Sequence, residues 1–205
     1  MGGRHAQVTP ALAMENGIAA IVTGTQGARI FELIGEDWEL QPIVGTFNGA
    51  DIEISGRRVL TNSGGCQWSA SVWEKNVAGA WQLDGEIESS EPVQFEAGEN
   101  LARKVAVRGN HAFTTGVEYR GAQVWLRTGA FAWTLHDRLD TIDSYDNVVG
   151  DVEHNGRLIL QQSFVREGSA NVIHVFQPDS TGGYRHAGTV ARADGRNLGK
   201  SFDTS

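Results

Sequence analysis

The sequence has very little cysteine and proline. Its 205 residues contain one cysteine, Cys66, and four prolines. A single cysteine cannot form an internal disulfide, and a zinc site built from several thiolates is excluded as well. Because free cysteines usually fill small apolar spaces, a partly buried Cys66 without a chemical role is the favoured interpretation.

Long apolar stretches and clusters of basic residues are also absent. No apolar run approaches the roughly 20 residues that cross a bilayer, so membrane insertion is not predicted. The first ten residues lack the apolar centre of a secretory signal peptide. The net charge is −8, and the 17 lysines and arginines are scattered. Nucleic acid is not a predicted partner, because phosphate binding needs clustered positive charge.

Glycine, in contrast, is abundant, with 26 residues. A strand–turn–strand unit with glycine at its tip occurs four times, with a period of roughly 40–50 residues. Glycine suits these tips because tight hairpin turns require a positive φ. The tip glycines are Gly17, Gly56, Gly109 and Gly156.

Each hairpin is followed by two aromatic residues seven or eight positions apart, one on each side of a turn. Two further strands are predicted there, which makes four strands in every period. Large rings dominate the burial energy of β-sheet cores, so these side chains are interpreted as packing within and between sheets. The four pairs are Phe31 and Trp38, Trp73 and Trp81, Trp125 and Trp133, and Phe176 and Tyr184.

Four strands in a period of this length are typical of a β-propeller blade. We predict an all-β protein, a single propeller domain or a fragment of one (1–205), made of four-stranded antiparallel blades. No sustained helical periodicity is present, so helix content is expected to be near zero. The expected blades span 8–44, 50–90, 103–143 and 150–193, and 196–205 matches the start of a further blade. This surplus strand favours an open arc of a longer propeller over a closed ring of four blades.

The repeat resembles the FG-GAP repeat β-propellers, in the bacterial extracellular form related to integrin α-subunit heads. The strand–glycine turn–strand of that family is matched by 105–113. Its second half, which ends on an aromatic residue, is matched by 122–133 and again by 173–184. The calcium-binding loop of integrin-type members is absent from all four repeats, so calcium sites are not carried over.

The resemblance implies a function in protein interaction or adhesion, without catalysis. It also implies an extracellular or cell-surface location, as a module of a larger protein that binds a protein or glycan partner. On this basis a non-catalytic scaffold without a cofactor is the favoured function. A carbohydrate-binding propeller is the first alternative, and a propeller hydrolase is the second.

Two sets of residues are candidates for a site. Trp68 and Tyr119 lie on polar loops outside the aromatic pairs, where a ring could stack on a sugar or anchor a partner. The second set is the acidic loop of Asp140, Asp143 and Asp146, whose oxygens could hold a hard cation. The spacing of these carboxylates differs from that of calcium-wrapping loops, so a solvated connector is favoured and no metal site is predicted. The six histidines occur singly, without the spacing of a zinc site.

Overall fold

The structure, a computed structural model, describes residues 11–22, 28–44, 51–62, 69–88, 104–115, 121–140, 148–154, 159–164, 172–180 and 182–191. For 148–154 and 159–164 it describes the backbone alone. Seventeen β-strands and no helix occur in these ranges. It follows that no described helix is long and apolar enough to span a membrane.

The strands form four sheets, and each contains four antiparallel strands in chain order. Blade one contains β1 (Ala11–Glu15), β2 (Ile18–Val22), β3 (Ala28–Ile34) and β4 (Asp37–Leu40). Next along the chain is the short strand β5 (Ile43–Val44). Blade two contains β6 (Ile52–Ser55), β7 (Arg58–Asn62), β8 (Ser69–Lys75) and β9 (Trp81–Glu88). Unlike the others, this sheet gains a fifth strand, because β5 pairs in parallel with the outer edge of β9.

The second half of the chain repeats the same arrangement. Blade three contains β10 (Lys104–Arg108), β11 (His111–Thr115), β12 (Gly121–Gly129) and β13 (Ala132–Asp140). Blade four contains β14 (Val148–His154), β15 (Ile159–Phe164), β16 (Val172–Pro178) and β17 (Tyr184–Ala191). The predicted all-β propeller of four-stranded blades is therefore confirmed. Gly17, Gly56 and Gly109 have φ values of 76°, 58° and 56°, as hairpin tips require.

The blades are arranged in chain order around their first strands. β6 lies beside both β1 and β10, and β10 lies beside β14. The Glu15 carboxylate, at the tip of blade one, accepts hydrogen bonds from Gly56 N (2.6 Å) and from Arg108 Nη1 (3.2 Å). Because these donors belong to blades two and three, the hairpin tips converge toward one axis and the row of blades curves into an arc.

The apolar core lies between successive blades, in three separate clusters. Burial of this kind requires a neighbour on each face of a sheet, which explains the continuous apolar runs in the middle strands. The largest members are Ile30, Val59, Trp73 and Trp81 between blades one and two; Leu60, Ile87, Trp125 and Trp133 between blades two and three; and Phe113, Leu139 and Phe176 between blades three and four.

Trp38 departs from the predicted packing role. It is 44% exposed, whereas Trp81 and Trp133, at the same position of the next two blades, are 0% and 8% exposed. Those two side chains pack against the preceding blade. Blade one has no preceding blade among the described residues, so its ring has nothing to cover it.

A β-bulge recurs in the fourth strand of blades two, three and four (β9, β13 and β17), next to the aromatic residue of the adjacent strand. The extra residue is Asp84 in β9, His136 in β13 and Ala187 in β17. A bulge redirects a side chain out of the regular alternation of the strand. Asp84 and His136 consequently point toward the following blade, where each has a hydrogen-bond partner.

Gly85 follows the first of these bulges and is closely covered by blade three. A Cβ atom built on it would lie 2.8 Å from Trp133 Cδ1 and 3.3 Å from the backbone of Phe131. We expect Gly85→Ala to lower the free energy of unfolding by about 1–3 kcal/mol, the usual cost of overpacking a core. Urea denaturation measures this loss. In Trp133→Leu the same change should cost less, and equal losses in both backgrounds would contradict the steric explanation.

Candidate functional site

The sequence-predicted site residues are almost all beyond the part of the chain that the structure describes. Asp140 is the last residue of β13, and its backbone alone is described. The stacking and cation hypotheses for these residues therefore stay predictions. The residues outside the described ranges are Cys66, Trp68, Tyr119, Asp143 and Asp146.

A group of titratable side chains lies at the junction of blades three and four. We call it the histidine–tyrosine cluster, and it consists of His111, His136, Asp137 and Tyr184. His111 begins β11 directly after the hairpin tip, and Tyr184 begins β17. His136 and Asp137 are placed by the bulge in β13. Sequence reasoning missed this cluster because its members are far apart in the chain, its histidines were weighed only as metal ligands, and Tyr184 was assigned to packing.

Aromatic contacts hold the centre of the cluster. The ring of Tyr184 lies edge-on to both His111 and Phe113, with centroid separations of 5.8 Å in each case. His111 is itself stacked on Phe113 at 6.3 Å. His111 and Tyr184 are half-buried, while Phe113 is fully buried beneath them. Both polar rings therefore lie at the edge of the junction, and the buried ring of Phe113 packs beneath them.

Hydrogen bonds fix the turn that carries Tyr184. The backbone N–H of Tyr184 donates to Asp137 Oδ2 at 3.1 Å, and that of Gly183 donates to Asp179 Oδ1 at 3.0 Å. His136 Nε2 lies 2.9 Å from the carbonyl oxygen of Gly182. Since a carbonyl oxygen only accepts, this nitrogen carries the proton. Blade three therefore positions the start of β17 through two side chains.

The surroundings shift the pKa values of both polar rings in the direction that keeps them neutral. Burial lowers the pKa of His111, and the neighbouring His136 lowers it further. Burial, followed by the negative charge of Asp137, raises the pKa of Tyr184 to about 12. At neutral pH the cluster thus offers an unprotonated imidazole beside a protonated phenol. A neutral imidazole can accept a proton, and a neutral phenol can donate a hydrogen bond.

A second polar group ties blade two to blade three. Arg127 Nη2 donates to Asp84 Oδ1 at 2.6 Å and to Glu74 Oε2 at 2.9 Å. The hydrogen bond with Asp84, ahead of the other contributions, raises the pKa of Arg127. Asp84 is buried, and Glu74 also pairs with Arg58 at 3.3 Å. Each of these four charged side chains therefore has a partner of opposite charge.

Metal binding finds no support in the residues that the structure describes. No group of three or more histidine, cysteine, aspartate or glutamate side chains there could hold a metal ion. His174 and His186 approach each other at 3.4 Å between Nδ1 and Nε2, and Thr189 Oγ1 lies 3.4 Å and 3.3 Å from the same two atoms. Two imidazoles and a hydroxyl form a hydrogen-bonded group within blade four.

Comparison with known proteins supports the fold and does not identify a family. No family model and no curated protein matches the chain. Among solved structures, a protein from Lactobacillus plantarum is 14% identical, covers 88% of this chain and 55% of its own, and has a TM-score of 0.59. A candidate 6-phosphogluconolactonase from Bacteroides uniformis is 13% identical over 90% of this chain and 57% of its own, with a TM-score of 0.60.

The designed protein Ika4 is also similar. It is 12% identical, and the alignment covers 86% of this chain and 99% of Ika4 with a TM-score of 0.51. The chain spans little more than half the length of the two natural proteins. At these identities the likenesses show the fold alone. This chain has the fold of a β-propeller.

The prediction that the chain is not an enzyme is wrong. It depended on the resemblance to FG-GAP propellers, which no family model supports. One of the similar propellers is instead a candidate 6-phosphogluconolactonase. The propeller fold therefore gives no reason to exclude catalysis, and the FG-GAP assignment stays a prediction.

Proposed function

We propose that this chain belongs to a propeller hydrolase that opens small, uncharged lactones at the histidine–tyrosine cluster. The observation that carries the proposal is the contact of the His111 and Tyr184 rings, whose centroids are 5.8 Å apart at the edge of the junction, and the pKa shift of each ring favours its neutral form. Perturbed pKa values of this kind concentrate at catalytic sites. The fold shared with a candidate 6-phosphogluconolactonase supports the reaction class.

The two rings have complementary roles in lactone opening. His111 accepts a proton as a water oxygen bonds to the lactone carbonyl carbon, and the carbonyl oxygen becomes an oxyanion. Tyr184 stabilises that oxyanion by donating its hydroxyl proton in a hydrogen bond. The ring C–O bond then breaks as the oxyanion collapses, and His111 returns its proton to the leaving oxygen. The product is a hydroxy acid, and the enzyme is regenerated unchanged.

Charge at the cluster favours an uncharged substrate. The carboxylates of Asp137 and Asp179 hold the turn that carries Tyr184. The protein as a whole carries a net charge of −8. A phosphate group would meet repulsion from both, whereas a neutral sugar lactone would not. The substrate proposed here therefore lacks the phosphate that the name of the Bacteroides uniformis protein implies.

Lactone hydrolysis by the 205-residue chain tests the proposal. We expect acid release from neutral sugar lactones above the uncatalysed rate, with kcat/KM reduced about 100-fold in His111→Gln and in Tyr184→Phe. The measurement is proton release in a pH-stat. Because the pKa of His111 is lowered, the base stays unprotonated below pH 6.5, and the acid limb of the pH–kcat/KM profile should lie there.

His186→Gln is the matched control, since His186 is a half-exposed histidine of blade four outside the cluster. It should retain full activity, and circular dichroism of all three variants should show intact sheets. Hydrolysis that is unaffected by His111→Gln would overturn the assignment. Sugar binding without acid release would instead favour the carbohydrate-binding alternative.

A further inference from the structure

Apart from Arg29, which lies opposite Ile21, the first face of the arc is apolar, and the described residues leave it exposed. We call it the leading face, and it carries Leu12, Met14, Leu33, Trp38 and Leu40 on one side of blade one. Leu12 and Met14 are 59% and 61% exposed. At the same positions of blade two, Ile52 and Ile54 are 5% and 4% exposed because they pack on blade one. The leading face thus has the composition of a blade junction.

The last face of the arc matches the inner junctions in the same way. This trailing face carries Ile173, Val175, Gly188 and Val190 on the far side of blade four. Val190 is 51% exposed, whereas its counterparts Ile87 and Leu139 are 2% exposed. The trailing face therefore repeats the side that blades two and three turn toward the blade after them.

The two faces also carry the counterparts of a tryptophan–glycine contact that occurs at an inner junction. At the junction of blades two and three, the ring of Trp133 lies against Gly85, where a Cβ would be only 2.8 Å away. The counterpart of Gly85 in blade four is Gly188, and a Cβ there would meet nothing within 4 Å. Trp38, the counterpart of Trp133, is the exposed ring of blade one. The trailing face therefore has space for an aromatic ring at Gly188, and the leading face carries the exposed ring of Trp38 that could fill it.

The positions that form ion pairs between neighbouring blades are uncharged on the two faces. Glu32 of blade one pairs with Lys75 of blade two at 2.5 Å, and Glu74 of blade two pairs at 2.9 Å with Arg127 of blade three. The residues at these positions on the uncovered faces are Gln177 in blade four and Leu33 in blade one. Neither residue carries a charge, so this pair of positions adds no unpaired ion to the proposed junction.

We infer that the trailing face of one chain binds the leading face of a second copy of the same chain. Two such junctions related by a two-fold axis would close a ring, since each chain contributes four blades and propellers extend to about eight. The alignments agree with a chain that forms about half of a ring, because it covers 55% and 57% of the two natural propellers. Closure would bury both apolar faces, which monomers seldom leave open to water.

Cross-linking across the proposed junction tests this directly. In a Cys66→Ser background, Trp38→Cys and Gly188→Cys provide one thiol on each face, and mild oxidation should give a covalent dimer on a non-reducing gel. A ladder of larger species would show an open filament and overturn closure. A cross-linked monomer would show a ring of four blades, and the absence of any cross-link would likewise overturn the proposal.

The mass in solution provides a second measurement without cysteine changes. Light scattering should give twice the 22.2 kDa of one chain. Val190→Asp places a charge on the trailing face and should shift the mass toward one chain. Val77→Asp is the matched control, because Val77 is a fully exposed valine in a turn of blade two, and it should leave the dimer intact. A mass of one chain for the wild-type protein would contradict the inference.

Discussion

Replacing Trp125 by alanine is expected to lower the free energy of unfolding by about 3–5 kcal/mol, the range for removing a large ring from a core. Trp125 is 5% exposed and packs in the cluster between blades two and three. Its Nε1 donates a hydrogen bond to Thr114 Oγ1 at 3.0 Å. Alanine would open a cavity in this junction and would also remove the donor. Urea denaturation at one fixed protein concentration gives the loss.

Two control variants separate these contributions. Trp125→Phe keeps a smaller ring in the junction and removes the indole donor, so only about 1–2 kcal/mol should be lost. Val77→Ala, at a fully exposed turn position, should change stability by less than about 0.5 kcal/mol. A loss below about 1 kcal/mol for Trp125→Ala would show that the ring does not hold the two blades together.

The repeat made much of the fold predictable from sequence. Tight turns, strand lengths and the aromatic pairs are local features, and each recurs four times. Trp125 and Trp133 are buried as expected, and the predicted open arc explains why Leu12 and Met14 are exposed. Trp38 was predicted to be packed but is exposed. Its burial depends on a neighbouring blade, and the residue pattern of its own strand contains no information about that blade.

The candidate site could not be predicted in the same way. Its members meet only when blades three and four are packed in one register: the hydrogen bond from Tyr184 to Asp137 spans 47 positions of the chain. His136 owes its direction to a bulge, and an extra residue in a strand leaves no mark in the apolar pattern. The extracellular location and the protein or glycan partner stay predictions.

Replacing Arg127 by methionine is expected to lower the free energy of unfolding by about 3 kcal/mol. The change leaves the Asp84 carboxylate, only 4% exposed, without its cation. Breaking a buried ion pair by removing one partner is costly because the remaining charge stays desolvated. Methionine retains the apolar length of the side chain, so the loss reports the charge and not a cavity. Denaturant unfolding of wild type and variant measures it.

Lys75→Met is the matched control for this ion pair. Lys75 occupies the same position in blade two and pairs with Glu32, but its side chain is 25% exposed and it bonds no buried aspartate. We expect it to lose about 1 kcal/mol or less. Adding Asp84→Leu to Arg127→Met should restore about 1 kcal/mol or more, because the isolated charge is then gone and Glu74 keeps Arg58 as a partner. Equal losses for Arg127→Met and Lys75→Met, or a double variant less stable than Arg127→Met, would contradict a burial-driven cost at the junction of blades two and three.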